Sequence, residues 1–330
     1  MKKFELWHGD CLELMKDIPD GSVDLVLTDP PYGTMKGIDE KHDWDLVINP
    51  LKMFSQIDRV LRPNGKVVLF SQQPFTTLLI NNQIRNIPFC YSAIWEKDTC
   101  GNCRMAKSAM VSFYEDILIF SKRLDADLQC VHPLRDYFES ILRFVGAKSC
   151  KEINAKLGHR RAEHCFYVKS TQFELCTNEV YEELIKVFGI NKMNGFLPFD
   201  VLREINENYK NKNQSIFNLW KGGKSKSNVL EYKKDNGGYH PTQKPVALLE
   251  DLIQTYSNEG NTVLDFAAGS MSTVIACINT NRNCIAIEKD EHYFSVGCKR
   301  VHNHILDNNI DEGYFNIAKK RIEEADNDLP

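Results

Sequence analysis

Residues Asn261 to Asp290 read NTVLDFAAGSMSTVIACINTNRNCIAIEKD, and the hydrophobic pattern changes period twice along them. Val263 to Asp265 close a short apolar strand that runs through Phe266 into a loop of small residues, Ala267-Ala268-Gly269-Ser270. "STVIACINT" then continues as a helix and "NCIAIEKD" as a second strand. A strand, a tight loop, a helix and a strand make one βαβ unit, which predicts a parallel sheet. Glu288 ends the second strand twenty-three residues after Asp265. In a doubly wound sheet this spacing sets an acid beside the hydroxyl pair of a ribose. The loop lacks the glycine-rich spacing of dinucleotide and triphosphate sites, which argues against NAD or ATP.

The same rhythm appears near the start. "VLTDPPYG" (Val26 to Gly33) ends a strand, Val23 to Thr28, through a carboxylate and two prolines. An amphipathic helix through about Leu61, a turn at Pro63-Asn64-Gly65 and a strand Lys66 to Phe70 follow, and "FCYSAIWEK" and "YEDILIFSK" read as two more strands. Asp29 therefore lies at the carboxyl edge of a parallel sheet, where ligands bind. Pro30 and Pro31 fix the backbone and donate nothing, so the carbonyls before and between them stay free as acceptors. Tyr32 adds a flat ring. Two acceptors and a ring suit an exocyclic amine on a stacked base.

Between about Asp125 and Gln214 the strand-like runs give way to helical ones: "YFESILRFVG", "SCKEINAKLG", "EVYEELIKVFG" and "FDVLREINENYK". Three of them stop at Gly146, Gly158 and Gly189, the residue type that ends helices in a left-handed conformation. The pattern predicts a helical module (126–214) inserted between two halves of an α/β domain (1–125 and 215–330). Within it, Ser149 to Leu157, a turn at Gly158 and a second helix from about His159 would form a helix-turn-helix with Arg160 and Arg161 outward.

The 330 residues carry a net charge of −4, yet from Lys210 to Lys234 seven lysines, among them Lys221, Lys224 and Lys226, face only Glu231. That stretch can neutralise phosphates or form a solvated loop. No apolar run reaches a membrane-spanning length, and Glu5, His8 and Asp10 interrupt the start, so the default address is the cytoplasm. Eleven cysteines without a repeated spacing fit a reducing compartment. Cys100-Gly101-Asn102-Cys103 lacks a second pair and reads as a turn; no metal is expected.

The order Asp29-Pro30-Pro31-Tyr32, His240-Pro241-Thr242-Gln243-Lys244-Pro245, then Val263 to Ser270 resembles the beta class of amino-methylating, S-adenosylmethionine-dependent DNA methyltransferases. The similarity covers roughly residues 4–122 and 215–320. It implies a doubly wound, Rossmann-like α/β methyltransferase sheet with an inserted helical DNA-recognition module. By the same resemblance, Asp29 and the Pro30 carbonyl accept the target amine and Tyr32 stacks on a base flipped out of the duplex. Asp10 would lie near the cofactor's adenine, Glu288 at its ribose, Gly269 and Ser270 under its methionine moiety, and Thr242 and Lys244 near its carboxylate.

Relatives commonly carry an aromatic where Ala267 stands and a second glycine where Met271 stands. A methionine there can crowd a loop whose backbone approaches the ligand; retained cofactor binding is expected because the first glycine survives, with a DNA-binding protein on a weak or inactive methyltransferase scaffold as the alternative. Aspartate at the head of the catalytic motif favours adenine N6 over cytosine N4 as target, with cytosine kept as the alternative. Double-stranded DNA is the implied partner, and a homodimer and a cognate restriction endonuclease are further candidates. No membrane partner is expected.

Overall fold

Strands β1 (Phe4–His8), β2 (Val23–Thr28), β3 (Leu61–Ser71), β4 (Phe89–Gly101), β5 (Ser112–Ser121), β6 (Val229–Glu231), β7 (Thr262–Asp265) and β8 (Asn283–Glu288) join in one sheet. The structure is a computed structural model, and it describes residues 4–34, 45–101, 106–123, 132–170, 172–235, 238–239 and 242–309. Strand order is β1-β8-β7-β2-β3-β5-β4-β6. The run from β1 to β3 is parallel, whereas β5 is antiparallel to both β3 and β4.

The parallel strands are apolar on both faces because helices cover both. Leu25, Leu27, Val68 and Phe70 point to one side, where α8 (Val246–Tyr256), α9 (Ser272–Asn279) and α10 (Glu291–Asp307) pack. Val26, Val67 and Leu69 point to the other side, against α1 (Cys11–Leu14), α2 (Pro50–Val60) and α3 (Phe75–Asn81). This alternation is the period-two geometry of a strand.

Two connections leave the sheet centre in opposite directions. The chain passes from β2 through α2 to β3 on one side, and from β7 through α9 to β8 on the other. The carboxyl ends of β2 and β7 therefore lie side by side at a topological switch point, the usual ligand crevice of such sheets. Strand β1, from the far end of the chain, pairs outside β8 in register His8 to Glu288. It brings Asp10 to the same edge.

By contacts the chain divides into two units, residues 1–126 with 215–330, and residues 127–214. The second contains α4 (Arg135–Phe144), α5 (Cys150–Leu157), α6 (Asn178–Phe188) and α7 (Phe199–Lys212). Their own core includes Phe138, Ile141, Ile153, Tyr181, Leu184 and Leu202. Gly158 and Gly189 end α5 and α6 with φ of 77° and 63°, a conformation that favours glycine.

Two local expectations fail. No second helix starts at His159; the chain turns and winds only one short 3₁₀ segment, Glu163–Phe166. The reason lies in local competition. The His159 ring accepts the Arg161 N–H, and one turn suffices to bury Ala162, Cys165 and Phe166. The arrangement is thus no helix-turn-helix. In the sheet, Pro63-Asn64-Gly65 lies inside β3 instead of ahead of it, as a bulge with Asn64 at φ 60° that shifts the β2 register after Val23. Among the described residues no helix is long and apolar enough to cross a membrane.

Candidate active site

Thr28 ends β2 and Asp265 ends β7, and the Thr28 hydroxyl donates to Asp265 Oδ1 at 2.7 Å. Beyond this stitch the two strands open into a cavity of about 590 Å³, within the range of small-molecule sites. The residues singled out in the sequence for catalysis or cofactor contact line it, Asp29 to Tyr32 on the β2 side and Asp10, Thr242, Lys244, Gly269, Ser270 and Glu288 around the rest, together with Asp265 and Phe266 where β7 runs into its loop. His240 and Pro241 lie outside the described residues.

Asp29 is engaged on both oxygens. The Tyr32 hydroxyl donates to Oδ1 at 2.6 Å, and the Lys244 ammonium donates to Oδ2. Tyr32 also stacks on Phe75, with ring centroids 5.4 Å apart. Lys244 is 5% exposed, and its Nζ lies 3.2 Å from Glu115 Oε2. Lys97 Nζ donates to the other Glu115 oxygen at 3.0 Å. Four charges, two on buried lysines and two on part-buried carboxylates, thus alternate in sign from Lys97 through Glu115 and Lys244 to Asp29. The structure thus sets Lys244 on the Asp29 carboxylate.

Burial and pairing pull these groups in different directions. Burial raises the Asp29 carboxyl above the ordinary range despite Lys244, and lifts the Tyr32 phenol well up, helped by Asp29. For Lys244, burial alone would lower the pKa, but Asp29 and Glu115 outweigh it and raise it. Burial likewise opposes ionisation of Glu115, and Lys244 and Lys97 together overcome it, so this carboxyl falls below its usual value.

On the β7 side, Gly269 turns at φ 49°, and its N–H donates to Glu288 Oε2 at 2.6 Å. The other Glu288 oxygen accepts the Asp290 N–H at 2.7 Å. Burial raises the Glu288 pKa. Asp10 caps α1 by accepting the Leu12 N–H at 2.9 Å and pairs with Lys289 at 3.2 Å. Asp265, held by Thr28, Thr273 and the Ala267 N–H, is pushed up to about 6 by burial.

Among the described residues the lining holds six carboxylates, Asp10, Asp29, Asp45, Asp265, Glu288 and Asp290, against two ammonium groups, Lys244 and Lys289. Such a field repels a polyphosphate and attracts a cation. The residues fit S-adenosylmethionine, whose sulfonium and amino groups are positive. Met271 does not crowd the site. It sits at φ 61° and ψ 32° as the residue before α9, is fully buried in the core, and is absent from the cavity lining.

The remaining candidates lie elsewhere. Arg160 pairs with Glu163 at 2.8 Å and Arg161 with Glu183 at 2.6 Å, both exposed on the helical unit. Lys221 and Lys224 are exposed around a Gly222-Gly223 turn. Lys226 differs: it is paired with Asp251, its ammonium 5.3 Å from the centre of the Trp220 ring, with a side chain 9% exposed. Glu115 and Lys97 escaped the sequence reading, although an acid inside the apolar strand "YEDILIFS" and a lysine after Trp95 were visible signs. Asp45 also escaped it; buried, it accepts the Gly33 N–H at 2.9 Å and so pins the turn after Tyr32.

Residues 23–299 match the N6/N4 DNA methylase family. The DNA adenine methyltransferase YhdJ of Escherichia coli (strain K12) is 29% identical over 302 residues, 89% of this chain and 81% of that protein. The type II methyltransferase M.HpaI of Haemophilus parainfluenzae is 24% identical over 329 residues, 97% of this chain and 79% of that one. Among solved structures, the complex of M1.HpyAVI with S-adenosylmethionine superposes with a TM-score of 0.50 at 20% identity, covering 90% of this chain and 98% of the other. The chain therefore belongs to the amino-methylating N6/N4 DNA methyltransferases, which use S-adenosylmethionine as methyl donor.

Proposed function

We propose that this enzyme methylates the N6 amine of adenine at a specific site in duplex DNA. The carrying observation is Asp29, a carboxylate at the switch point, facing the same cavity as the Gly269 loop. Asp29 and the Pro30 carbonyl accept the two amine hydrogens, which turns the nitrogen lone pair out of the ring's conjugation. Pro31 fixes the backbone direction beyond that carbonyl. Tyr32, tethered to Asp29 and backed by Phe75, holds the extrahelical base by stacking. Bound S-adenosylmethionine supplies an electrophilic methyl group. After transfer the nitrogen sheds one proton, and Asp29, its pKa raised by burial, is the acceptor in contact. Asp10 would lie at the cofactor's adenine and Glu288 would hold its ribose hydroxyls; Gly269, Ser270 and Thr242 would hold its amino-acid end.

Aspartate at the head of the motif and similarity to a DNA adenine methyltransferase support adenine over cytosine. Target recognition falls to the helical unit with Arg160 and Arg161, and phosphate contact to Lys221 and Lys224. The likeness to a type II methyltransferase supports a cognate restriction endonuclease, and the class resemblance a homodimer in the cytoplasm; sedimentation of the purified protein checks the dimer. Incubation of unmethylated DNA with tritiated cofactor, followed by digestion to nucleosides, tests the main reading. Label in N6-methyladenine is expected; label in N4-methylcytosine overturns the choice of base, and full activity in Asp29→Ala overturns the site.

A further inference from the structure

Glu115 reaches the site from β5, behind the cavity wall. Its Oε1 is committed to Lys97 at 3.0 Å. Its Oε2 is buried and, among the described residues, has no aligned hydrogen-bond partner, although Lys244 Nζ lies 3.2 Å away. This oxygen is therefore held by the charge of Lys244 without a directed hydrogen bond, and it keeps acceptor capacity for one.

The Lys244 ammonium donates to Asp29 Oδ2 while Tyr32 holds Oδ1, so neither oxygen of the amine acceptor is disengaged. An ammonium on Asp29 weakens that acceptor. It also opposes the positive charge that builds on the nitrogen as the methyl arrives, in a site too buried for water to screen it. The ammonium carries three donors on a flexible stem, and a small swing carries it from Asp29 to Oε2. Glu115 is ionised and so able to receive it, because Lys244 and Lys97 outweigh burial and bring its pKa below the ordinary value.

We propose that Glu115 is a positioning residue that draws the Lys244 ammonium off Asp29 when the target amine arrives, freeing Asp29 to accept it. The inference rests on the reading of Asp29 as the amine's acceptor. Lys97 then holds Glu115 in place and keeps it charged. The resting array is neutral, so the swing moves a charge between two carboxylates without leaving either lysine or Glu115 unpaired.

The test uses the full-length enzyme, unmethylated plasmid DNA and tritiated S-adenosylmethionine, with cofactor affinity from calorimetry. Glu115→Gln confines Lys244 to Asp29, and kcat is expected to fall about tenfold or more while cofactor affinity stays within about threefold. Adding Lys244→Met to that variant removes the trapped ammonium and is expected to restore the rate by about threefold or more over Glu115→Gln alone. A role for Glu115 in structure alone predicts the opposite, since the double variant loses one more buried contact. Should Glu115→Gln fail to bind cofactor, the same comparison is made with Glu115→Asp, whose carboxylate ends one methylene short of Lys244. A wild-type rate in Glu115→Gln, or a double variant no faster than its parent, overturns the proposal. Asp29→Asn separates the two levels: wild-type turnover there removes the reading beneath, whereas an inactive Asp29→Asn beside a fully active Glu115→Gln removes only the role of Glu115.

Discussion

Met271 and Gly297 share one space: a β-carbon on Gly297 would overlap Met271 Cγ and come within 3.2 Å of the Gly269 carbonyl oxygen. The absent side chain on α10 is what lets methionine stand at a left-handed position in the loop after β7, its side chain turned into the core. Gly297→Ala is expected to cost about 1–3 kcal/mol by overpacking, and to weaken cofactor binding by displacing Gly269. Met271→Ala in the same chain makes room and recovers part of both losses. Met271→Gly alone relieves backbone strain of about 1 kcal/mol, but the emptied core position outweighs it, for a net loss of about 2 kcal/mol. Urea denaturation and calorimetry with S-adenosylmethionine read these effects; a Gly297→Ala variant of wild-type stability would show the two residues to be independent.

Asp265 gives the cofactor-free protein a pH signature. Its folded pKa is pushed up to about 6 from an ordinary value of 3.8, so the folded state holds the proton more tightly than the unfolded chain. Its contribution to stability is therefore present at low pH and is lost as pH rises from the unfolded value through about 6, by ~3 kcal/mol in total. Asp265→Asn keeps the acceptor for Thr28 and does not ionise. Relative to wild type, the variant should gain stability between about pH 4 and pH 7 by up to that amount. Parallel urea titrations at both ends check it, and a constant difference across the range would mean that Asp265 is charged throughout.

Much of the site was legible because its chemistry sits at strand ends. Apolar runs of period two, broken by Asp-Pro-Pro or Ala-Ala-Gly-Ser, mark where Asp29 and Asp265 leave the sheet, and chain order placed both in one α/β domain. What stayed hidden was contact across the sheet. Glu115 and Lys97 show in sequence only as charges within strand-like runs, because their meaning depends on β5 and β4 facing Lys244, which follows more than 120 residues later. The second helix expected at His159 failed for a different cause. A glycine stop followed by polar residues fits either a new helix or a single turn, and the packing of Ala162, Cys165 and Phe166 chose the turn.

The arginines after that turn remain exposed cations of the helical unit, but each is already paired. Arg160 holds Glu163 and Arg161 holds Glu183, which also pairs with the His159 ring at 2.6 Å. DNA phosphate or base edges must therefore compete with these carboxylates. Arg160→Gln with Arg161→Gln is expected to weaken DNA binding in a gel shift while leaving the melting temperature nearly unchanged, since exposed pairs contribute little. Glu163→Gln with Glu183→Gln is expected to tighten DNA binding by freeing the same arginines. If neither pair moves the affinity, this face does not meet DNA.

The lysines Lys221, Lys224 and Lys226 of the basic stretch separate into two kinds. Lys221 and Lys224 are exposed beside the Gly222-Gly223 turn, whereas Lys226 is tied to Asp251, which also accepts from the Trp220 indole at 3.1 Å and the Tyr232 hydroxyl at 3.1 Å. Removing Lys226 leaves Asp251 buried without its cation. Lys226→Met is thus expected to destabilise the fold by about 3 kcal/mol and to leave the salt dependence of DNA binding intact under conditions where it remains folded. Lys221→Gln with Lys224→Gln should do the reverse: unchanged stability, and a slope of log K against log salt shallower by about 2. The discriminating measurement is that slope, taken for both variants on one duplex; an equal slope change in Lys226→Met would mean that Lys226 leaves Asp251 for phosphate when DNA binds.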